Sequence, residues 1–307
     1  MRKIAVVGPG RVGESTAEFL AQQSLCRELV LLGTNEDAAR GIALDIQESA
    51  PLFGFDTKVS GGSDPVLLTG ADLVIMTAGL PRKPGMSRDE LRDANLAVLD
   101  SVLGNVMKYA PAAMLLVVSN PVDVLTYRAW LRTGWPRQRV FGLSGVLDSA
   151  RMASFVAQAS GYSVRDITAL VIGGHGDAMV PLPEYTCING IPIKHILDEA
   201  TIARLIEHTR QGGAEILALK QTSSAYDSPA AAIATMVEAV IRNRKRILPC
   251  VAVLDGEFGQ HDLAMGVPVV LGEAGMEKVL ELPLTEDERR AVLRSAEAVR
   301  ASLSGLP

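Results

Sequence analysis

A single histidine stands between glycines in Gly173-Gly174-His175-Gly176-Asp177, directly after the apolar run Ile167 to Ile172. Imidazole exchanges a proton near neutral pH, and glycines on both sides let the backbone and a bound molecule come close to the ring. By itself such a histidine also fits a purely structural role. Asp148 and Arg151 stand three apart in Val146-Leu147-Asp148-Ser149-Ala150-Arg151, so a helix places both on one face. In isolation that spacing equally describes a surface ion pair.

The segment Pro81-Arg82-Lys83-Pro84-Gly85-Met86-Ser87-Arg88 carries three cations around glycine and proline between a strand pattern and a helix pattern. Its composition suits a mobile lid that holds an anion. Arg82 and Arg88, six apart, are spaced to clamp a carboxylate and a polarised carbonyl together. A solvated basic loop has the same composition. Asn120, in Val118-Ser119-Asn120-Pro121, lies at the carboxyl end of a strand pattern, where open α/β sheets bind ligands. An Asn-Pro turn is the plainer alternative.

Gly8-Pro9-Gly10-Arg11-Val12-Gly13 follows the strand-like Ile4 to Val7 and opens a helix pattern, the context that makes G-x-G-x-x-G a dinucleotide signal. The first glycine allows the tight turn, the second lets backbone approach a pyrophosphate, and the third permits close helix packing. The phosphates then sit on the helix N-terminus. About 20 residues on, an acid at the end of the second strand normally takes the adenosine ribose. Here the strand ends Val30-Leu31-Leu32-Gly33-Thr34-Asn35, with glycine where the acid is expected and neutral donors after it. Glu36 and Asp37 read as acids of the next helix's first turn. A site of this kind discriminates weakly against a 2′-phosphate or tilts toward NADPH. An aspartate restored at Gly33 is expected to move it toward NADH.

These residues need a scaffold. The first half alternates strand patterns at Ile4–Val7, Leu29–Leu32, Leu73–Thr77 and Met114–Val118 with helices beginning near Val12, Glu36 and Ser87, the last running to Tyr109. That rhythm predicts an α/β fold whose N-terminal half is a doubly wound parallel sheet, a Rossmann domain. After about residue 143 the pattern becomes α+β. Helices are expected at Val146–Ser160, Leu197–Leu219, Pro229–Arg244 and Glu286–Leu303, with strand-like runs at Ile167–Ile172, Ile247–Leu254 and Val267–Leu271. Domains are placed at 1–143, dinucleotide-binding, and 144–307, substrate and catalytic.

Bulk properties exclude several classes of function. The chain of 307 residues is 48% hydrophobic and 21% charged, with a formal net charge of -5. That describes an ordered globular protein with no basic footprint for nucleic acid or an anionic membrane. The basic cluster Arg242 to Arg246 reads as a solvated helix end. Cys26, Cys187 and Cys250 show neither a disulfide framework nor metal-ligand spacing, so no metal is expected and a reducing cytoplasm fits. No apolar stretch approaches the roughly 20 residues of a transmembrane helix.

Taken in order, the glycine turn, the 81–88 loop, Ser119-Asn120-Pro121, Val146 to Arg151 and Gly173 to Asp177 resemble the lactate/malate dehydrogenase family, in particular its lactate-dehydrogenase-like malate dehydrogenase branch. The resemblance covers essentially the whole chain. It implies that His175 moves the proton of the substrate oxygen and that Asp148 holds its ring and favours the imidazolium. It also implies that Arg151 grips the C1 carboxylate, Arg88 polarises the reacting carbonyl and Asn120 bonds near the same oxygen. Arg82 falls on the specificity position, where arginine goes with a second carboxylate and glutamine with lactate. The implied cofactor set is Gly8, Pro9, Gly10, Arg11, Val12, Gly13, Gly33, Thr34, Asn35, Asn95, Val118, Ser119 and Asn120, for NAD or NADP. Gly33 departs from the family's usual aspartate, and Arg11 stands where a smaller residue is more familiar.

The implied activity is hydride transfer between malate or oxaloacetate and a nicotinamide cofactor. A lactate or broader 2-hydroxy-acid dehydrogenase and a non-catalytic dinucleotide-binding protein are the alternatives. The apolar patterns at Ala38–Ile46, Met152–Ala159 and Ala230–Val240 exceed what a monomer needs, and the resemblance implies a homodimer or homotetramer.

Overall fold

The computed structural model describes residues 2–80 and 87–304, with Arg88 described in its backbone alone. Arg82, Lys83 and the Arg88 side chain therefore lie outside the described residues. Strands β1 (Lys3–Val7), β2 (Glu28–Leu32), β3 (Lys58–Gly62), β4 (Leu73–Met76), β5 (Met114–Val117) and β6 (Val140–Gly142) pair in parallel in the order β3-β2-β1-β4-β5-β6. Helices α1 (Arg11–Gln22), α2 (Glu36–Glu48), the short α3 (Ala50–Phe53), α4 (Arg88–Tyr109) and α5 (Val122–Thr133) connect them.

Alternation along the strands divides the core. Ile4, Val6, Leu29, Leu31 and Ile75 bury on one face, while Ala5, Val7, Val74, Met76 and Leu115 join Leu96, Leu99, Leu103 and Leu125 of α4 and α5 on the other. Strands covered on both faces read as continuous apolar runs, which is why β1, β2, β4 and β5 are legible in the sequence. β3 is half polar and glycine-rich, and β6 has three residues, so neither carries that signal. The order reverses between β1 and β4, and the crevice at their carboxyl ends is the expected ligand position of such sheets.

The sheet does not stop at the end of the parallel half. β6 pairs antiparallel with β12 (Arg246–Asp255), followed by β13 (His261–Gly272), β8 (Val171–Gly173) and β9 (Met179–Pro181), with β14 (Gly275–Val279) also on β13. The expected run Ile167–Ile172 is not one strand. β7 (Ile167–Thr168) joins β10 (Cys187–Ile188) and β11 (Ile191–Pro192) in a small second sheet, while β8 belongs to the large one. The switch is possible because Ser149 Oγ accepts from the Val171 amide at 2.9 Å, satisfying a donor between the two ladders.

Helices α6 (Gly145–Ser160), α7 (Glu199–Lys220), α8 (Asp227–Ile241) and α9 (Glu286–Leu303) complete the fold. α8 ends at Ile241 rather than Arg244, and the basic cluster beyond it pairs with acids: Arg242 and Arg244 with Glu238, and Lys245 with Glu277. The apolar pattern of α8 is used within the chain, since Ala230, Ile233, Met236 and Val240 are buried, as are Met152 and Val156 of α6. On α2 and α3, Leu44, Leu52 and Phe53 remain exposed. No described helix is long and apolar enough to cross a membrane.

Candidate active site

Asp148 lies in the first turn of α6, 1% exposed, and Arg151 follows one turn later. The helix brings them together as the spacing predicts, with Arg151 Nη1 3.0 Å from Asp148 Oδ1. The other carboxylate oxygen faces the histidine loop, and His175 Nδ1 is 2.9 Å from Asp148 Oδ2. One buried carboxylate thus binds a guanidinium through one oxygen and an imidazole through the other. Burial works against a charged His175, but the charge and hydrogen bond of Asp148 outweigh it, Asp123 adds to them, and Arg151 opposes. The His175 pKa is raised as a result.

The histidine loop is also fixed through its backbone. The His175 amide donates to Asp123 Oδ2 at 2.8 Å and the Gly174 amide to Ser295 Oγ at 2.8 Å, from α5 and α9 respectively. Asp123 is buried, its other oxygen has no hydrogen-bond partner among the described residues, and desolvation lifts its carboxyl to about 6 against the pull of the His175 amide and charge. Strand pairing ties the loop to the sheet: Gly142 pairs with Val251, Val251 with Gly266, and Gly266 with Gly173, where the missing side chain leaves room for Ser295. A Cβ on Gly173 would lie 2.6 Å from Ser295 Oγ.

A cavity of about 750 Å³ opens in front of the loop and is lined by His175 and Asn120 together with Asp89, Arg92 and Arg210. It joins the carboxyl end of β5 to the histidine loop. Arg92 is engaged by Asp89 at 2.9 Å and Asp93 at 2.8 Å. α4 begins with a capping box in which Ser87 Oγ accepts from the Glu90 amide at 3.1 Å and Glu90 Oε2 from the Ser87 amide at 2.7 Å. That cap fixes where the 81–88 segment ends. None of Gly8 to Gly13 lines this cavity.

Comparison with known proteins places this geometry. Residues 2–142 match the lactate/malate dehydrogenase NAD binding domain and residues 145–305 the lactate/malate dehydrogenase alpha/beta C-terminal domain. The chain belongs to the lactate/malate dehydrogenase family. It is 63% identical over 306 residues to a malate dehydrogenase of Thioalkalivibrio sulfidiphilus, covering 100% of both chains, and 51% identical to one of Pseudomonas putida, over 99% of this chain and 98% of that one. Among solved structures, a malate dehydrogenase of Salinibacter ruber superposes with a TM-score of 0.94 at 43% identity, covering 98% of this chain and 96% of that one. A lactate dehydrogenase of Cryptosporidium parvum, complexed with lactic acid and nicotinamide adenine dinucleotide, superposes with a TM-score of 0.95 at 37% identity, covering 100% and 99%.

A dinucleotide on the glycine turn would need packed outer glycines and open space at the middle one, and the turn has both. Gly8 has φ +97°, and a Cβ there would lie 2.4 Å from the Ala78 backbone. One on Gly13 would lie 2.3 Å from the Gly8 carbonyl oxygen, whereas one on Gly10 would meet nothing within 4 Å. The outer two glycines are therefore packed and the middle one faces open space. Gly10 caps α1 without a side-chain acceptor, so the first amides of that helix remain for an anion. Arg11 stacks over Tyr226, 5.5 Å from the ring centroid, tying the turn to the segment before α8.

Other dehydrogenase-family positions are already engaged. The Asn95 side chain accepts from the Leu80 amide at 2.7 Å and donates to the Asn120 carbonyl at 2.7 Å, so it joins the ends of β4 and β5. Ser119 Oγ donates to the Ala78 carbonyl at 2.6 Å. Asn35 caps α2, its Oδ1 accepting from the Ala38 amide at 3.0 Å, which leaves only its amide donors for a ligand. Asp123, Ser295 and Gly212 go unmarked in the sequence reading. Asp123 closes the Asn120-Pro121-Val122-Asp123 run and so offers a weak signal, but Ser295 and Gly212 act only through tertiary contact.

Proposed function

We propose that the chain is a malate dehydrogenase interconverting (S)-malate and oxaloacetate with a nicotinamide cofactor. The carrying observation is the continuous arrangement Arg151–Asp148–His175, with 3.0 Å and 2.9 Å separations on the two oxygens of one buried carboxylate. Full-length likeness to malate dehydrogenases supports the reading. When bound, the cofactor supplies or accepts the hydride at the substrate's C2.

The residues of the chain do the rest. With Nδ1 on Asp148, His175 keeps Nε2 for the substrate oxygen, donating a proton during oxaloacetate reduction and taking it back during malate oxidation. The raised pKa favours the imidazolium, the form that the reductive direction uses. Arg151 binds the C1 carboxylate, and its contact with Asp148 fixes the fork that receives it. Asn120 bonds the reacting oxygen from the cavity wall, and Asn95 positions Asn120 through its carbonyl. Arg88 polarises the carbonyl, and Arg82 pairs with the second carboxylate. Burying that carboxylate without a partner charge costs several kcal/mol. A lactate dehydrogenase of the same fold lends weight to a monocarboxylate reading, against which stands arginine at position 82.

Gly8, Pro9, Gly10, Arg11, Val12 and Gly13 hold the pyrophosphate, with Val118 and Ser119 beside the nicotinamide half. With glycine at 33 and neutral Thr34 and Asn35 beyond it, the chain uses both NADH and NADPH. The division into a cofactor part and a substrate part falls at 143/144, and the enzyme works as a homodimer or homotetramer in the cytoplasm. The test is steady-state kinetics with oxaloacetate and pyruvate, each under NADH and NADPH. The reading requires a strong preference for oxaloacetate and measurable turnover with both cofactors. A preference for pyruvate would overturn it.

A further inference from the structure

The end of β2 and the glycine turn are hydrogen-bonded neighbours, the Gly8 amide donating to the Leu32 carbonyl at 2.9 Å, while the Gly33 amide donates to the Gly62 carbonyl at the end of β3 at 3.0 Å. The Pro9 ring lies against Gly33. A Cβ built at 33 would stand 2.9 Å from Pro9 Cγ and 3.0 Å from Cδ, with the Ala39 methyl at 3.6 Å. Gly33 is not among the glycines with positive φ, so its backbone suits any residue and the obstacle is steric alone.

Nor can Pro9 turn aside as a flexible side chain would. Its ring is closed on its own backbone, and that backbone follows Gly8, which is pinned against Ala78 at φ +97°. Ring pucker offers only a small adjustment. We infer that Pro9 is a specificity-determining residue acting as a pair with Gly33: the proline ring fills the volume that a side chain at 33 needs and so keeps a carboxylate out of the adenosine ribose site. This rests on the cofactor reading above and deepens it.

The nearby charges agree. Glu36, the first acid beyond Gly33, accepts from Ser63 Oγ at 3.2 Å and lies 3.9 Å from Arg40 Nη1, so its carboxylate is engaged at the β3 end. Asn35 spends its carbonyl oxygen on the α2 cap and keeps only donors. What faces a ribose at this corner is a proline ring, a glycine and neutral donors, which accept a 2′-phosphate more readily than a carboxylate would. The single change Gly33→Asp, which sequence reasoning favours as a switch toward NADH, therefore meets the Pro9 ring first.

The experiment compares wild type, Gly33→Asp, Pro9→Ala and the double variant by the melting temperature of the cofactor-free protein and by equilibrium dissociation constants for NADH and NADPH. Gly33→Asp alone should melt lower and bind both nucleotides more weakly with little change in their ratio. The double variant should regain the melting temperature of Pro9→Ala and shift the ratio toward NADH by about 10-fold or more, the worth of hydrogen bonds to a charged group. Gly33→Ala, with and without Pro9→Ala, repeats the melting cycle without adding charge, so a misfolded aspartate variant does not hide the answer. Additive melting temperatures, or Gly33→Asp alone shifting the ratio as far as the double variant, would overturn the pairing. Wild type binding neither nucleotide would overturn the cofactor reading and the specificity role with it, whereas the cofactor-free melting cycle would still separate that failure from a failure of the packing pair.

Discussion

The backbone amide of His175 donates to Oδ2 of Asp123 at 2.8 Å, so the histidine is held by two buried carboxylates, Asp148 on its ring and Asp123 on its main chain. The second is the less comfortable. Its carboxyl, lifted from 3.8 to about 6 by desolvation, corresponds to about 3 kcal/mol against the ionised form at neutral pH. An acid with a pKa raised on folding takes up a proton on folding between about pH 4 and 6, so its cost is absent below that window and full above it. Asp123→Asn should then melt higher than wild type at pH 8, with the advantage gone at pH 4. Turnover should fall, because the charge that helps protonate His175 is lost. Equal differences in melting temperature at the two pH values would show that Asp123 carries no such penalty.

Asp148 and burial pull the His175 pKa in opposite directions, and at present Asp148 wins. Asp148→Asn removes the main force favouring the imidazolium and leaves desolvation opposed only by Asp123. The apparent pKa governing oxaloacetate reduction should drop, moving the loss of activity with rising pH to lower pH. His175→Asn should keep nucleotide binding and lose about two to four orders of magnitude in turnover. A pH–rate profile of Asp148→Asn that superposes on wild type would remove Asp148 from the proton-transfer role.

Much of this was legible because chemistry and scaffold share short segments. The i, i+3 spacing places Asp148 beside Arg151 whatever the rest of the fold does, and the glycine turn follows β1 directly. The partnership of Asp148 with His175, 27 positions apart, is visible in the sequence only through the family resemblance. Ser295 was not legible, and Asp123 only weakly so, because each holds a backbone amide of the histidine loop from a distant helix, a contact that leaves no local pattern. The Ile167–Ile172 run misled for a related reason: apolarity marks burial, and two short strands in different sheets are as buried as one.

Arg82 lies outside the described residues, yet its role is open to a direct test. If it pairs with the second carboxylate, Arg82→Gln should reduce kcat/KM for oxaloacetate by roughly 100-fold or more, at ~1.4 kcal/mol per factor of ten. Pyruvate reduction should be unchanged or improved. A mutant retaining the wild-type preference would assign selection to another cation, with Arg210 on the cavity wall the first to examine.

Gly212 offers a change whose effects on stability and activity part company. It sits within α7 facing α6, where a Cβ would lie 2.4 Å from Arg151 Cδ and 2.9 Å from Nε. Glycine inside a helix costs about 1 kcal/mol relative to alanine, so its presence in the middle of a 22-residue helix is explained by the Arg151 stem that passes over it. Gly212→Ala should displace that stem and loosen the fork from Asp148, raising KM for oxaloacetate and pyruvate alike by about 10-fold or more, as expected for loss of a charge-assisted contact. Nucleotide affinity should not change, because the side chain that a Cβ at 212 meets is Arg151 and not a residue of the glycine turn. If Gly212→Ala keeps the wild-type KM for both substrates, either Arg151 does not hold the shared carboxylate or its stem has room that the packing denies.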